Sequence, residues 1–211
     1  MSLLDALNQG LQQANISLKQ QQCEQLIEYL ALISKWNKVH NLTAIRNQQD
    51  MLTLHILDSV VVLPFVAQAK NLLDVGSGAG LPGIVLAICQ PDLQVSVIDA
   101  NQKKVSFMRQ VKAELNLANL TVLSGRVEAV HTAQPFEIII SRAFSDLNTF
   151  VSLTQSLIAK HGKWLAMKGQ IPHQEMQALQ QNMQLQPISL HKLVVPGLAA
   201  ERHLLIFNHD A

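Results

Sequence analysis

The sequence predicts an α/β protein built on a mostly parallel sheet with helices on both faces. From Asn71 onward, short apolar runs alternate with amphipathic stretches of helical length. The first run opens into a glycine-rich turn, Asp74-Val75-Gly76-Ser77-Gly78-Ala79-Gly80-Leu81-Pro82-Gly83. No repeat, low-complexity segment or Pro/Ser linker divides the 211 residues. The expected organisation is therefore a helical extension over residues 1–68, packed on a domain of residues 69–211.

Leu3, Leu4, Leu7 and Leu11 recur at helical spacing and predict a short amphipathic helix over residues 2–14. Ser17 with Gln20 resembles a capping box. The helix it opens carries Cys23, Leu26, Ile27, Leu30 and Ile33 on one face and runs to Asn37. Polar and aromatic residues, Trp36 to Thr43, separate it from a helix that begins near Gln48 with Leu52, Ile56, Val60 and Leu63 apolar. On that helix His55, Asp58 and Ser59 stand at i, i+3 and i+4 and share a face. Such groups must either satisfy one another, as a buried His–Asp hydrogen bond would, or meet a ligand. Two ligand types without a third do not make a metal site, so no metal is expected.

Residues 71–75 read as a buried strand, and the apolar run after the turn as a helix whose first turn accepts Pro82. Alternate glycines permit positive φ and close approach of a ligand. The helix amides beyond them favour an anionic group. A dinucleotide fingerprint requires its third glycine where Leu81 stands. The spacing G-x-G-x-G, with Asp74 at the strand end, suits S-adenosyl-L-methionine instead, whose carboxylate and amine meet the loop in place of a pyrophosphate. A glycine turn without a ligand is the alternative.

A second strand over residues 93–98 ends at Asp99, placed to hold a ribose or to cap the next helix. That helix, residues 102–117, buries Val105, Phe107, Met108, Val111 and Leu115. Lys103, Lys104, Arg109 and Lys112 scatter around it as a solvated face. After a third strand, residues 120–123, come Arg126, Val127 and Glu128 on the rim where such sheets bind ligands. Glu128 can accept a hydrogen bond from an adenine amino group there. A fourth strand, residues 136–140, leads to Ser141-Arg142. An arginine at the end of a central strand must find charge or carbonyl partners, which points to function rather than packing. Asp146 caps a helix expected to reach Lys160. A fifth strand, residues 162–167, leads to Lys168-Gly169, followed by a helix over 171–182. Residues 188–195 and 203–207 close the sheet as two antiparallel strands.

Sixteen Lys plus Arg against fifteen Asp plus Glu leave a net charge of +1. That excludes coating a nucleic acid through bulk charge, but not a local patch. Cys23 and Cys89 fall in apolar helical patterns and read as reduced core residues of a cytoplasmic protein. No basic–apolar–small segment opens the chain, so no secretory leader is expected. The longest apolar stretches, residues 60–67 and 84–89, fall short of the roughly 20 residues of a membrane helix.

The combination W-N-x-x-x-N-L-T (36–43), D-V-G-S-G-A-G-x-P-G (74–83) and S-R-A (141–143) is specific. With the His55/Asp58/Ser59 face, Arg126-Val127-Glu128 and Lys168-Gly169, it resembles the glucose-inhibited division protein B family of small-subunit ribosomal RNA methyltransferases. The likeness covers essentially the whole chain. It implies a Rossmann-like class I S-adenosylmethionine-dependent methyltransferase fold, seven-stranded, with an N-terminal helical extension. It also implies S-adenosyl-L-methionine as donor and N7 of guanine 527 in 16S ribosomal RNA of the small subunit as acceptor. By the family pattern Gly76, Leu81, Val127, Glu128 and Arg142 contact the cofactor, with Gly78, Gly80 and Asp99 nearby. Asn41, His55, Asp58, Arg126 and Lys168 are expected to face the RNA. A monomer, with no membrane and no metal, completes the expectation.

Absent motifs sharpen the chemistry. No Asp/Asn-Pro-Pro-aromatic follows the fourth strand, and neither cysteine ends the fourth or fifth strand to attack a pyrimidine. Guanine N7 needs neither device, since its lone pair is free and carries no proton. No catalytic acid or base is expected; alignment of the reacting atoms is the enzyme's task. Arg142 cannot then take guanine in the bidentate O6/N7 mode, which would occupy the attacking lone pair. A methyltransferase of a small molecule and a non-catalytic ribosome-associated module are the alternatives.

Overall fold

The computed structural model describes residues 1–142 and 144–209; Ala143 of the S-R-A motif lies outside the described residues. Seven strands form one sheet: β1 Asn71–Val75, β2 Gln94–Asp99, β3 Leu120–Ser124, β4 Phe136–Arg142, β5 Ile158–Lys168, β6 Ser189–Lys192 and β7 His203–Asn208. Their order is β3-β2-β1-β4-β5-β7-β6. The first five run parallel, and β7 is antiparallel to both β5 and β6. Strand order reverses between β1 and β4, which opens a crevice at their carboxyl ends.

Both faces of the sheet are covered, and the two-residue period of the strands divides the core accordingly. Leu72, Val97, Ile138, Ile140 and Leu165 join the larger apolar cluster, while Leu73, Ile98, Ile139, Trp164 and Ala166 join the other. The larger cluster takes in the N-terminal helices α1 Leu3–Gln13 and α2 Gln20–His40, together with α6 Gly83–Cys89 and α7 Gln102–Glu114. Helices α8 Leu147–Thr154 and α9 His173–Met183 cover the opposite face. Residues 1–68 thus share one core with the sheet. Tyr29 of α2 stacks on Phe107 of α7 at 6.4 Å between ring centroids.

Several boundaries differ from the sequence reading. Helix α2 starts at Gln20 rather than at Ser17, because the Lys19 amide bonds Gln22 Oε1 at 2.8 Å, and it runs on to His40. Helix α7 stops at Glu114, short of residue 117. Asp146 caps α8 as expected, accepting hydrogen bonds from the Thr149 amide and hydroxyl, but α8 ends at Thr154. Strand β5 starts at Ile158, since the Phe136 amide bonds Leu157 O and draws the following residues into the sheet. Strand β6 is shorter than residues 188–195.

The expected single helix from Gln48 is broken into α3 Gln48–Met51, a π-helical turn Leu52–Leu57, α4 Asp58–Val60 and α5 Leu63–Val66. This run of 19 residues, Gln48–Val66, is long and apolar enough to cross a membrane, which corrects the expectation that every apolar stretch is too short. Here 67% of its apolar window is buried in the fold as a core element.

Candidate active site

The glycine turn leaves β1 with Gly76, Gly78 and Gly80 all at positive φ (+68°, +62° and +91°), a path closed to ordinary side chains. The amides of Gly76 and Ser77 bond Ile98 O at 3.0 Å, holding the turn against the end of β2. Asp99 Oδ2 accepts the Gly78 amide at 2.9 Å and Oδ1 the Asn101 amide at 2.8 Å. Lys104 Nζ stands 3.8 Å from Asp99 Oδ2, so of the basic residues on α7 this one reaches the turn. The helix amide predicted to face a ligand is spent internally: Gly83 N–H bonds the buried Asp74 Oδ2 at 2.8 Å.

Beside the turn lies a cavity of about 360 Å³, lined by Gly76, Asp99, Arg126, Val127, Glu128 and Phe144 among others. A volume of this order suits a small-molecule ligand. Val127, Glu128 and Ala129 form one 3₁₀ turn at the carboxyl end of β3, which brings Glu128 to the rim. Gly80 and Leu81 do not line the cavity. A side chain at Gly80 would overlap Ile84, and Leu81 is buried in the core. Phe144 closes the cavity over Gly76, where an added Cβ would come within 2.9 Å of its ring.

A second cavity of about 430 Å³ lies on the other side of the β4 end, lined by Ile45, Leu54, His55, Asp58, Arg142, Met167, Lys168, Gly169 and Arg202. Phe144 lines the first cavity and a narrow gap that shares Met167 and Lys168 with the second. Arg142 faces this second space rather than the first. Its Nη1 donates to Leu54 O at 2.9 Å and to Asp58 Oδ2 at 3.0 Å. Arg202, just before β7, donates from Nε to Asp58 Oδ1 at 2.7 Å. Lys168 Nζ pairs with Glu175 Oε2 at 2.8 Å. Asn41 lies outside both cavities, in the left-handed region at φ 49°, with its Oδ1 bonded by Arg46 Nη2 at 2.7 Å.

The expected His55–Asp58 hydrogen bond does not form. His55 Nδ1 lies 3.0 Å from Leu54 O and Nε2 3.0 Å from Thr43 Oγ1. A carbonyl only accepts, so Nδ1 carries the proton, and the Thr43 hydroxyl donates to Nε2 while accepting the Ile45 amide at 3.2 Å. Burial, then the Arg142 charge, lowers the His55 pKa from 6.5 to about 4, keeping the ring neutral. The N-L-T segment of the sequence is thereby pinned to the π-helical turn, and Ser59 Oγ bonds His55 O at 2.6 Å.

Sequence reasoning missed Arg202 and Phe144. The signal for Arg202 was the antiparallel final strand, whose start must lie beside the carboxyl ends of the parallel ones: Lys168 pairs with His203 in register. Phe144 is a large apolar residue two positions after β4, and its ring lies near Gly76 in the wall of the first cavity.

The fold recurs in solved methyltransferases. The N-methyltransferase NodS from Bradyrhizobium japonicum, solved with S-adenosyl-L-homocysteine, superposes with a TM-score of 0.60 at 12% identity, over 84% of this chain and all of that one. The ribosomal RNA small subunit methyltransferase G of Methylobacillus flagellatus is 57% identical over 199 residues, 94% of this chain and 95% of that protein. Its counterpart in Pseudomonas aeruginosa is 44% identical over 207 residues, 98% and 96% of the two chains. A sequence model of the family described as rRNA small subunit methyltransferase G (GidB) matches residues 22–205, spanning the glycine turn, both cavities and nearly all of α2, with α1 outside the match. The chain belongs to the rRNA small subunit methyltransferase G family.

Proposed function

We propose that the chain transfers a methyl group from S-adenosyl-L-methionine to N7 of a guanine, guanine 527 by the family pattern, in 16S ribosomal RNA of the small subunit. One observation carries the reading: two cavities of ligand size flank the end of β4, one beside a glycine turn, the other lined by three cationic side chains. The first fits the cofactor, because only glycine leaves room beneath Phe144 and because Asp99 and Glu128 edge it with carboxylates for hydroxyl and amino groups. Val127 and the rim of Gly76 would hold the rest, with Gly78 supporting Asp99. When bound, the cofactor supplies a methyl group already activated on a sulfonium.

The second cavity would take the base. Met167, Leu54 and Ile45 offer it apolar walls, while Arg142, Lys168 and Arg202 offer charge to phosphate or O6. His55, neutral and fully hydrogen-bonded, holds the wall rather than moving a proton. No general base is needed for N7, so the contribution of this chain is orientation and exclusion of water, worth on the order of 7–11 kcal/mol at best. Residues 1–68 serve as a helical extension of the catalytic unit, and the protein works as a cytoplasmic monomer without metal.

The test is to map N7-methylguanosine in 16S ribosomal RNA from cells with and without the gene, and to offer labelled cofactor to unmarked subunits in vitro. The mark should vanish with the gene and return with the purified protein. Label passing to a small metabolite but not to the RNA would decide for a small-molecule enzyme.

A further inference from the structure

Both oxygens of Asp58 are committed to guanidinium groups, and its side chain is only 2% exposed. The two arginines come from different strands. Arg142 ends β4, beside the crevice, and Arg202 precedes β7, on the far wall of the second cavity. A carboxylate so placed has no face left for an RNA. We infer that Asp58 is a positioning residue that yokes Arg142 to Arg202, fixing the two guanidinium groups relative to one another so that a ligand engaging one is registered by the other. The inference rests on the methyltransferase reading for its catalytic consequence, and on geometry alone for the coupling.

The spare donors support this. Arg142 Nη1 serves Leu54 O and Asp58, and its Nε and Nη2 have no acceptor among the described residues. Arg202 uses Nε on Asp58 and Nη1 on Glu201 O, at 2.9 Å, leaving Nη2. Each guanidinium therefore turns a fixed edge to the yoke and keeps donors for a ligand in the cavity it lines. Without the shared carboxylate, two like charges would face one another in a partly buried space and separate. The anchor is itself rigid: Asp58 follows directly on the π-helical turn, whose Leu54 carbonyl takes both Arg142 and His55.

The yoke makes a prediction that neither a structural role nor an RNA contact makes. Asp58→Asn removes a negative charge from the cavity, so affinity for unmethylated small subunits should stay equal or rise, while turnover at saturation falls tenfold or more. Asp58→Glu, which keeps the charge, should recover part of that loss. A direct RNA contact by Asp58 would instead weaken binding, and a scaffold role would lower melting temperature and both parameters together; either result overturns the inference. Arg142→Gln, Arg202→Gln and the double variant supply a second arm that keeps the test open should Asp58→Asn fail to fold. Both arginines line the second cavity, so filter binding of unmethylated subunits should show losses in the two single variants that fail to multiply in the double variant by several-fold. Strictly multiplicative losses in folded variants would sink the coupling, whereas a wild-type protein that binds the cofactor but leaves subunits unmethylated would sink the substrate reading alone.

Discussion

Asp74 Oδ2 accepts the Gly83 amide at 2.8 Å, while its other oxygen has no partner among the described residues. Burial drives its pKa from 3.8 up to about 7, against the pull of that amide. His55 is displaced the opposite way, from 6.5 to about 4. The stability from Asp74 is present below its unfolded pKa and is lost as pH rises through about 7, because the unfolded chain sheds the proton first. That from His55 is present above 6.5 and is lost as pH falls through about 4. Over most of the interval between, the two slopes oppose. Melting temperature should therefore vary little in the wild-type protein from about pH 4.5 to 6.5. Asp74→Asn should become acid-sensitive, and His55→Gln should lose stability as pH rises, each by on the order of 2–4 kcal/mol across the window. Parallel profiles for the three proteins would show that these groups do not titrate as described.

The glycines of the turn divide into two kinds. At Gly76 a side chain would meet the Phe144 ring over the cavity, so Gly76→Arg should abolish S-adenosyl-L-homocysteine binding, with a stability loss of about 1–3 kcal/mol from the positive φ beside it. At Gly80 a Cβ would stand 2.7 Å from Ile84 Cγ1 and 3.2 Å from the Tyr29 hydroxyl, inside the core. Gly80→Ala should therefore cost stability, about 1–3 kcal/mol from strain and overpacking. Calorimetry and thermal melts on the pair separate the two roles, and equal loss of binding in both would contradict the division.

How much of this was legible beforehand follows from what each signal encodes. The period-2 and period-3.6 patterns fix which residues are apolar and on which face, and so the seven strands and their order of appearance were readable. The π-helical turn was not, because its hydrogen bonds shift by one residue without any change in apolar spacing. His55, within that turn, and Asp58, just after it, turn to Thr43 and to two arginines instead of to one another. Arg142, at a strand end, was recognisable as needing charge or carbonyl partners, and it finds both in Asp58 and Leu54 O. Its partner Arg202, 60 positions later in the chain, became visible only once the antiparallel pairing of β5 and β7 was known.

Tyr29 connects the N-terminal helices to the turn. Its hydroxyl, fully buried, donates to Ala79 O at 2.6 Å. Tyr29→Phe leaves that carbonyl without this donor, at a cost of about 1–3 kcal/mol. The melting temperature should fall by roughly 2–10 °C. S-adenosyl-L-homocysteine affinity should drop a few-fold, since the loop that carries Gly78 is then held from one side only. A lower melting temperature with unchanged affinity would confine the role of Tyr29 to packing.

Lys168 is poised between a protein partner and the second cavity. Its ammonium lies 2.8 Å from Glu175 Oε2 and 3.2 Å from Ser145 O, with the side chain 17% exposed. Glu175 Oε2 also accepts the Leu147 amide at 2.9 Å, so the carboxylate is anchored to the start of α8 and does not follow the lysine. If Lys168 neutralises a phosphate of the RNA, Lys168→Gln should weaken subunit binding and reduce the slope of log affinity against log salt by roughly 0.7–0.9. Glu175→Gln should do the reverse to affinity, because it removes the competing anion and leaves the cation in place. Filter binding across a salt series measures both. A slope unchanged in Lys168→Gln would place the ammonium in the architecture of the β5–α9 corner and take it off the RNA surface.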